Sequence, residues 1–81
     1  EKEAFYAECA AILNVDYKFV EALPYRRRWG QRTPGNGRLE GIGLIRYFGP
    51  SYITVTLRNP NCSRSFRDIE SVFIFLKTLV S

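Results

Sequence analysis

Residues 41–58, GIGLIRYFGPSYITVTLR, contain two strand-like runs separated by a turn sequence. The runs, residues 42–48 and 52–58, are rich in Ile, Leu, Val, Thr, Tyr and Phe, which favour strands. The Gly-Pro-Ser sequence at 49–51 between them is typical of a turn. This stretch therefore predicts a β-hairpin around which the rest of the chain is arranged.

The second run alternates apolar and polar side chains, which is the pattern of a strand with one buried face. The apolar set is Ile53, Val55 and Leu57, and the polar set is Tyr52, Thr54, Thr56 and Arg58. Because an apolar sheet face needs a cover, the helices predicted on either side of the hairpin are expected to pack on it.

The first run is apolar on both sides, so its buried face depends on the length of the turn. A three-residue turn pairs Ile45 with Val55 and buries Ile45 and Tyr47. One more loop residue buries Leu44 and Phe48 instead, because a one-residue slip exchanges the two faces. We favour the pairing of Ile45 with Val55 and leave the second register open.

Helical patterns precede and follow the hairpin. Residues 2–14 place an apolar stripe at helical spacing, Asn14 suits the helix end, and residues 15–23 predict a second short helix that Pro24 ends. A capping-box pattern at 65–68 is expected to open the last helix, with Asn59 to Ser63 as a turn. The apolar stripe of that helix is Phe66, Ile69, Val72, Phe73, Leu76 and Val80. The predicted fold class is α+β: a small antiparallel sheet packed by N-terminal and C-terminal helices.

The 81 residues are expected to form one domain, since 46% of them are apolar and 15% aromatic. We expect this domain to be part of a longer protein. No apolar run is long enough to span a bilayer, and no signal segment opens the chain. Cys9 and Cys62 lie far apart in the sequence, so we expect two buried free thiols rather than a disulfide. Because there is no histidine, we expect no metal site. Free thiols are typical of reducing compartments, so we expect a soluble intracellular location.

The charge is distributed unevenly along the chain. Residues 1–23 carry a net charge of −3, residues 24–67 carry +8, and residues 68–81 carry −1. All nine arginines lie in the middle segment, with Glu40 as its single acid. A surface selected only for solubility mixes both signs, so this segment is predicted to face a negatively charged partner.

The segment 24–37, PYRRRWGQRTPGNG, is predicted to be a basic loop with a tight turn at its glycines, although residues 25–29 also fit a short edge strand that would add a third strand. The guanidinium group of arginine can donate two hydrogen bonds at once to a phosphate, and an aromatic side chain near several arginines can stack on bases. For Trp29 we favour a core position over a ligand contact. The candidate nucleic-acid-binding residues are Arg26, Arg27, Arg28, Trp29, Arg32, Arg38, Arg46, Arg58 and Arg64.

The sequence predicts no enzyme and no cofactor. Histidine, the commonest general base, is missing, and nothing near Cys9 in the sequence would activate it as a nucleophile. The glycines at 35 and 37 lack the lysine and the spacing of a phosphate-binding loop. Arg64 precedes the predicted helix start, where an anion is favoured, but simple capping by Ser65 is the explanation that we favour.

The order helix, sheet, helix is similar in outline to the double-stranded-RNA-binding module, and a three-stranded sheet backed by one helix is similar to integrase-type DNA readers. Neither similarity rests on a motif, so the sequence assigns no family. The leading prediction is a nucleic-acid-binding domain, DNA or RNA, that contacts the phosphate backbone through the arginine-rich loop and one sheet face. The outward strand face considered for this contact holds Arg46, Thr54, Thr56 and Arg58, with Tyr52. The alternative is a protein-interaction or inhibitory domain whose basic face docks on an acidic protein. The sequence leaves the oligomeric state open.

Overall fold

The computed structural model describes residues 2–15, 21–23, 26–32, 35, 37–58 and 61–81. The elements, in chain order, are α1 (Lys2–Leu13), β1 (Glu21–Leu23), β2 (Arg26–Arg32), β3 (Leu39–Gly49), β4 (Tyr52–Leu57), β5 (Cys62–Phe66) and α2 (Ile69–Val80). The strands form one antiparallel sheet in the order β1-β2-β3-β4-β5. This arrangement confirms the α+β class, with five strands instead of the predicted two or three.

Strands β3 and β4 form the predicted hairpin in the favoured register. Ile45 pairs with Val55 and Tyr47 with Ile53, but Gly49 then pairs with Tyr52 because the register shifts at Phe48. Ile45 is buried, whereas the Phe48 side chain is 52% exposed. The register that buries Leu44 and Phe48 is therefore wrong.

Both helices pack on the same face of the sheet. Ile45, Ile53 and Val55, which lie on one side of the strands, form a single hydrophobic cluster with side chains of α1 and α2. The phenyl rings of Phe5 in α1 and Phe73 in α2 stack with centroids 5.8 Å apart, which joins the helices to each other. The fold has two layers, and this cluster lies between them: Phe5, Tyr6, Cys9, Trp29, Ile45, Ile53, Val55, Val72 and Leu76.

Helix α1 contributes a buried tyrosine that the apolar pattern did not identify. Tyr6 is 1% exposed, and its hydroxyl accepts a hydrogen bond from the Tyr47 backbone N–H at 3.2 Å. The described pairing of β2 with β3 ends at Arg26 and Arg46, so the Tyr47 N–H, one residue further along β3, bonds to the Tyr6 side chain. Burial raises the pKa of Tyr6, as desolvation disfavours a phenolate. The predicted helix end is confirmed, since Asn14 adopts a φ of 57°.

Two predictions about residues 15–37 were wrong. Residues 21–23 belong to strand β1 rather than to a short second helix, and residues 16–20 lie outside the described part of the chain. Residues 26–32 form strand β2, which pairs with strands on both sides, rather than a basic loop. The predicted glycine turn is confirmed where it is described, because Gly35 and Gly37 have φ values of 96° and 70°.

The start of the last helix also differs from the prediction. Ser65 pairs with Thr54 in the sheet and so does not cap a helix, and Cys62 begins strand β5. Asp68 is the N-cap of α2, and its carboxylate accepts a hydrogen bond from the Ser71 backbone N–H at 2.8 Å. Val72 and Leu76 of the predicted stripe are buried, but Val80 at its C-terminal end is exposed.

The two cysteines lie on different elements and both are free. Cys9 is buried in α1, and burial, together with the nearby Glu8 carboxylate, raises its pKa to about 12. Cys62 is only half-buried at the start of β5, so the prediction of two buried thiols holds for Cys9 alone.

Within the described residues, no group of three or more acidic or cysteine side chains is suited to hold a metal ion. No helix in that part of the chain is long and apolar enough to cross a membrane.

Candidate nucleic-acid interface

The face of the sheet opposite the helices carries polar and basic side chains. Successive residues of a strand point to opposite faces, so the neighbours of buried Ile45 and Val55 point away from the helices. We call this side the outward face. The following outward residues of β2 to β5 are half-buried or exposed: Arg26, Arg28, Leu44, Arg46, Thr54, Thr56, Ser63 and Ser65.

Strand β2 divides its basic residues between the two faces. Arg27 points toward the helices and is 7% exposed; its Nη2 donates to both carboxylate oxygens of Glu3, at 2.8 and 3.2 Å. Its guanidinium also lies 4.4 Å from the ring centroid of Tyr6. Arg27 thus holds α1 against the sheet, and the candidate interface does not include it.

Trp29 lies on the same packed side. It is 4% exposed, and its indole covers Gly43 so closely that a Cβ added to Gly43 would lie 2.2 Å from the ring. This position agrees with the core role favoured for Trp29 from the sequence. It leaves no ring face for a nucleic-acid base, so Trp29 is removed from the candidate site.

The outward arginines of β2 and β3 are brought together by the strand register. Arg26 pairs directly with Arg46, and Arg46 pairs with Thr54 on its other side. Like charges at opposed positions repel each other, so an anion between them would be stabilising. The Arg46 Nε atom is buried and has no hydrogen-bond partner among the described residues. The register therefore concentrates two positive charges at one place on the outward face.

A second row runs beside this pair. Arg28 pairs with Glu21 on one side and with Leu44 on the other, and Leu44 pairs with Thr56. The Thr56 and Ser63 hydroxyl oxygens lie 3.3 Å apart across β4 and β5, within hydrogen-bond distance. Hydroxyl groups can donate to phosphate oxygens, so this row extends the polar surface toward β5.

Arg58 continues the outward alternation just past the end of β4. Its backbone N–H donates to the Ile42 carbonyl at 2.9 Å, which extends the β3–β4 ladder by one pair. The Arg58 guanidinium lies beside Gly41, with Nη1 3.5 Å from where a Cβ on Gly41 would be. Arg58 therefore adds a third row to the outward face.

The remaining sequence candidates lie elsewhere. Arg64 points toward α2 and places its guanidinium 5.1 Å from the ring centroid of Phe75. The sequence favoured capping over an anion site at this helix start, and a side chain does cap it, but the cap is Asp68 rather than Ser65 and α2 begins at Ile69. Arg38 is exposed just before β3, and the side chain of Arg32 lies outside what the structure describes.

An exposed aromatic pair lies at the hairpin end of the outward face. Phe48 is 52% exposed and Tyr52 is 45% exposed, and their rings stack with centroids 5.3 Å apart and planes 26° apart. The sequence analysis placed Tyr52 beside the outward strand face without listing it as a binding residue, and it did not consider Phe48 for the site. The signal was available in the sequence, since one aromatic residue stands on each side of the turn at 49–51.

No family model matches the chain, and neither the curated proteins nor the solved structures contain a match. The function is consequently inferred from the geometry of the chain itself.

Proposed function

We propose that this chain is a non-enzymatic domain that binds nucleic acid through the outward face of its sheet. The observation that carries the proposal is the register of β2 and β3, which sets Arg26 directly opposite Arg46 on the face away from the helices. Arg28 and Arg58 extend the positive charge along the same face. In this arrangement the arginines contact phosphates, and the threonine and serine hydroxyls add further hydrogen bonds.

The separation of charge between the two layers supports this function. The outward positions of β2 to β5 named above carry arginine, threonine, serine and leucine side chains, with no aspartate or glutamate among them. Of the acids in the sheet, Glu21 on edge strand β1 pairs with Arg28 and so takes an outward position, whereas Glu40 lies near the start of β3. The four outward arginines, Arg26, Arg28, Arg46 and Arg58, outnumber this single acid. The acids of the helix layer are Glu3, Glu8, Asp68 and Glu70. A polyanion approaching the molecule is attracted to the sheet side and repelled from the acids of the helix side.

A second candidate partner is an acidic protein, which the apolar residues of the same face favour. Ile42 is 44% exposed, and Leu44 is half-buried between Arg28 and Thr56. Apolar side chains that lie beside arginines suit a protein interface as well as a nucleic acid.

We propose a reducing, intracellular compartment as the location of the protein, because Cys9 and Cys62 are both free thiols. Either kind of partner is compatible with this location.

Replacing both Arg26 and Arg46 with alanine is expected to weaken binding to DNA and RNA of every sequence. The slope of log affinity against log salt should flatten by about 0.7 to 0.9 for each phosphate that the protein no longer neutralises. The measurement is fluorescence anisotropy with single-stranded and duplex probes at several salt concentrations. The matched control is Arg64→Ala with Lys77→Ala, which removes the same charge from exposed positions on the helix side of the molecule.

An equal weakening in the control would show that overall charge, rather than the outward face, determines binding. If the unmodified chain binds no probe more tightly than about 100 micromolar at physiological salt, the weak limit of non-specific binding, the proposed function fails. An acidic protein partner would then be the candidate to pursue.

A further inference from the structure

The stacked pair of Phe48 and Tyr52 exposes apolar rings in an unusual place. About half of each side chain is accessible to solvent at the hairpin end, although aromatic rings gain most from burial. After the regular pair Tyr47 and Ile53, the register shifts so that Gly49 pairs with Tyr52 and Phe48 is bulged. The shift brings the Phe48 ring onto the ring of Tyr52, at a centroid distance of 5.3 Å. The result is a pre-formed stack with accessible ring surface.

This stack is continuous with the arginine surface. Phe48 is two residues from Arg46 along β3, and Tyr52 is two residues from Thr54 along β4. Alternate residues of a strand are about 7 Å apart, so the rings lie within one nucleotide's reach of the Arg26–Arg46 pair. A base on the rings would leave its phosphate close to the arginines.

The combination of rings and arginines selects one form of nucleic acid. In a duplex the base faces are covered by neighbouring base pairs, so exposed protein rings have nothing to stack on. In a single strand the bases are accessible, and stacking on aromatic side chains together with arginine contacts is the usual mode of binding. Stacking is tolerant of sequence, since every base has a flat π face.

We propose that the outward face binds single-stranded nucleic acid, with a base stacked on Phe48 and Tyr52 and its phosphate held by Arg26 and Arg46. This inference rests on the proposed function and specifies its ligand. A bland role for the ring pair also exists, since cross-strand aromatic contacts stabilise hairpins. The experiment must therefore separate base stacking from hairpin stability.

The test compares two labelled probes that share a backbone: a 15-nucleotide oligothymidine and a 15-unit abasic strand with the same phosphates and no bases. The chain is expected to bind oligothymidine at least about fivefold more tightly, since each stacked base contributes about 5- to 150-fold. Replacing Phe48 and Tyr52 together with alanine should remove this preference and leave the salt slope unchanged. Tyr52→Phe, which keeps the ring, should retain the preference.

Outcomes that contradict the inference differ from those that contradict the proposed function. Equal affinity of the unmodified chain for both probes would overturn base stacking while leaving phosphate binding intact. Tighter binding to a 15-base-pair duplex than to oligothymidine would overturn the single-strand assignment. If neither strand nor duplex binds, the proposed function fails as well. If the double alanine variant does not fold, the comparison of oligothymidine with the abasic strand on the unmodified chain still tests base stacking.

Discussion

Leu76→Ala is expected to destabilise the fold by about 2–5 kcal/mol. Leu76 is 0% exposed on α2 and belongs to the cluster that joins both helices to the sheet. Truncation removes buried apolar surface and leaves a cavity between two layers that cannot close freely. Because a small domain has only about 5–15 kcal/mol of stability, the decrease is a large share of the total. The free energy of unfolding is measured by urea denaturation.

Leu79→Ala on the same helix is the matched control. Leu79 is 39% exposed, so the same truncation should cost less than about 1 kcal/mol. Similar destabilisation at Leu76 and Leu79 would contradict the assignment of the buried face of α2.

Gly30→Ala is the second change with a large expected effect, at about 3 kcal/mol, the upper end of the usual cost of overpacking. Gly30 is buried in β2 at the register shift with β3. A Cβ there would lie 1.8 Å from the Glu40 carbonyl oxygen and 2.6 Å from its carbon. Both atoms belong to the backbone of the adjacent strand, so relief requires moving a strand rather than rotating a side chain.

Gly49→Ala provides the comparison for this prediction. No atom lies within 4 Å of a Cβ added to Gly49, and its φ is not positive, so the change should be close to neutral. Thermal unfolding of the two variants tests the close approach of β2 to β3. If the Gly30→Ala protein were as stable as the Gly49→Ala protein, the close contact between β2 and β3 at Gly30 would be wrong.

The hairpin and its covering helices were predictable because their signals are local. Alternation in residues 52–58 identified the buried face of β4, and the apolar spacing of Val72 and Leu76 identified the buried face of α2. The favoured pairing of Ile45 with Val55 is confirmed, although the predicted three-residue turn is wrong, because Gly49 rather than Phe48 pairs with Tyr52. The local bulge at Phe48 did not follow from the sequence, since the apolar first strand fits either register equally well.

Strand β2 was not predictable because its stability depends on residues distant in sequence. Arg27 is acceptable on the packed face since Glu3, 24 residues earlier, neutralises it, and Trp29 fits since Gly43 leaves room for the indole. Read alone, arginines beside glycine and proline favour a loop. Strand β5, with the sequence CSRSF, likewise lacks an apolar pattern and is fixed by its pairing with β4.

The same long-range pairing limited the prediction of the site. Strand alternation placed Arg46 and Arg58 on one outward face, but charge alone did not show on which face the arginines of residues 26–28 lie. The sheet register separates Arg26 and Arg46 on the outward face from Arg27 and Arg64 on the helix side. Phe48 was missed although the favoured register, which buries Ile45, sets Phe48 on the same outward side as Arg46.

The most direct test of the central claim is an NMR titration of the ¹⁵N-labelled chain with oligothymidine, following backbone amides and arginine Nε–H signals. If the outward face binds the strand, the largest shifts should occur at Arg26, Arg46 and Thr54, which lie side by side across β2, β3 and β4. These shifts should diminish as salt is raised. Shifts concentrated on α1 and α2 instead, with the sheet signals unmoved, would contradict binding through the outward face.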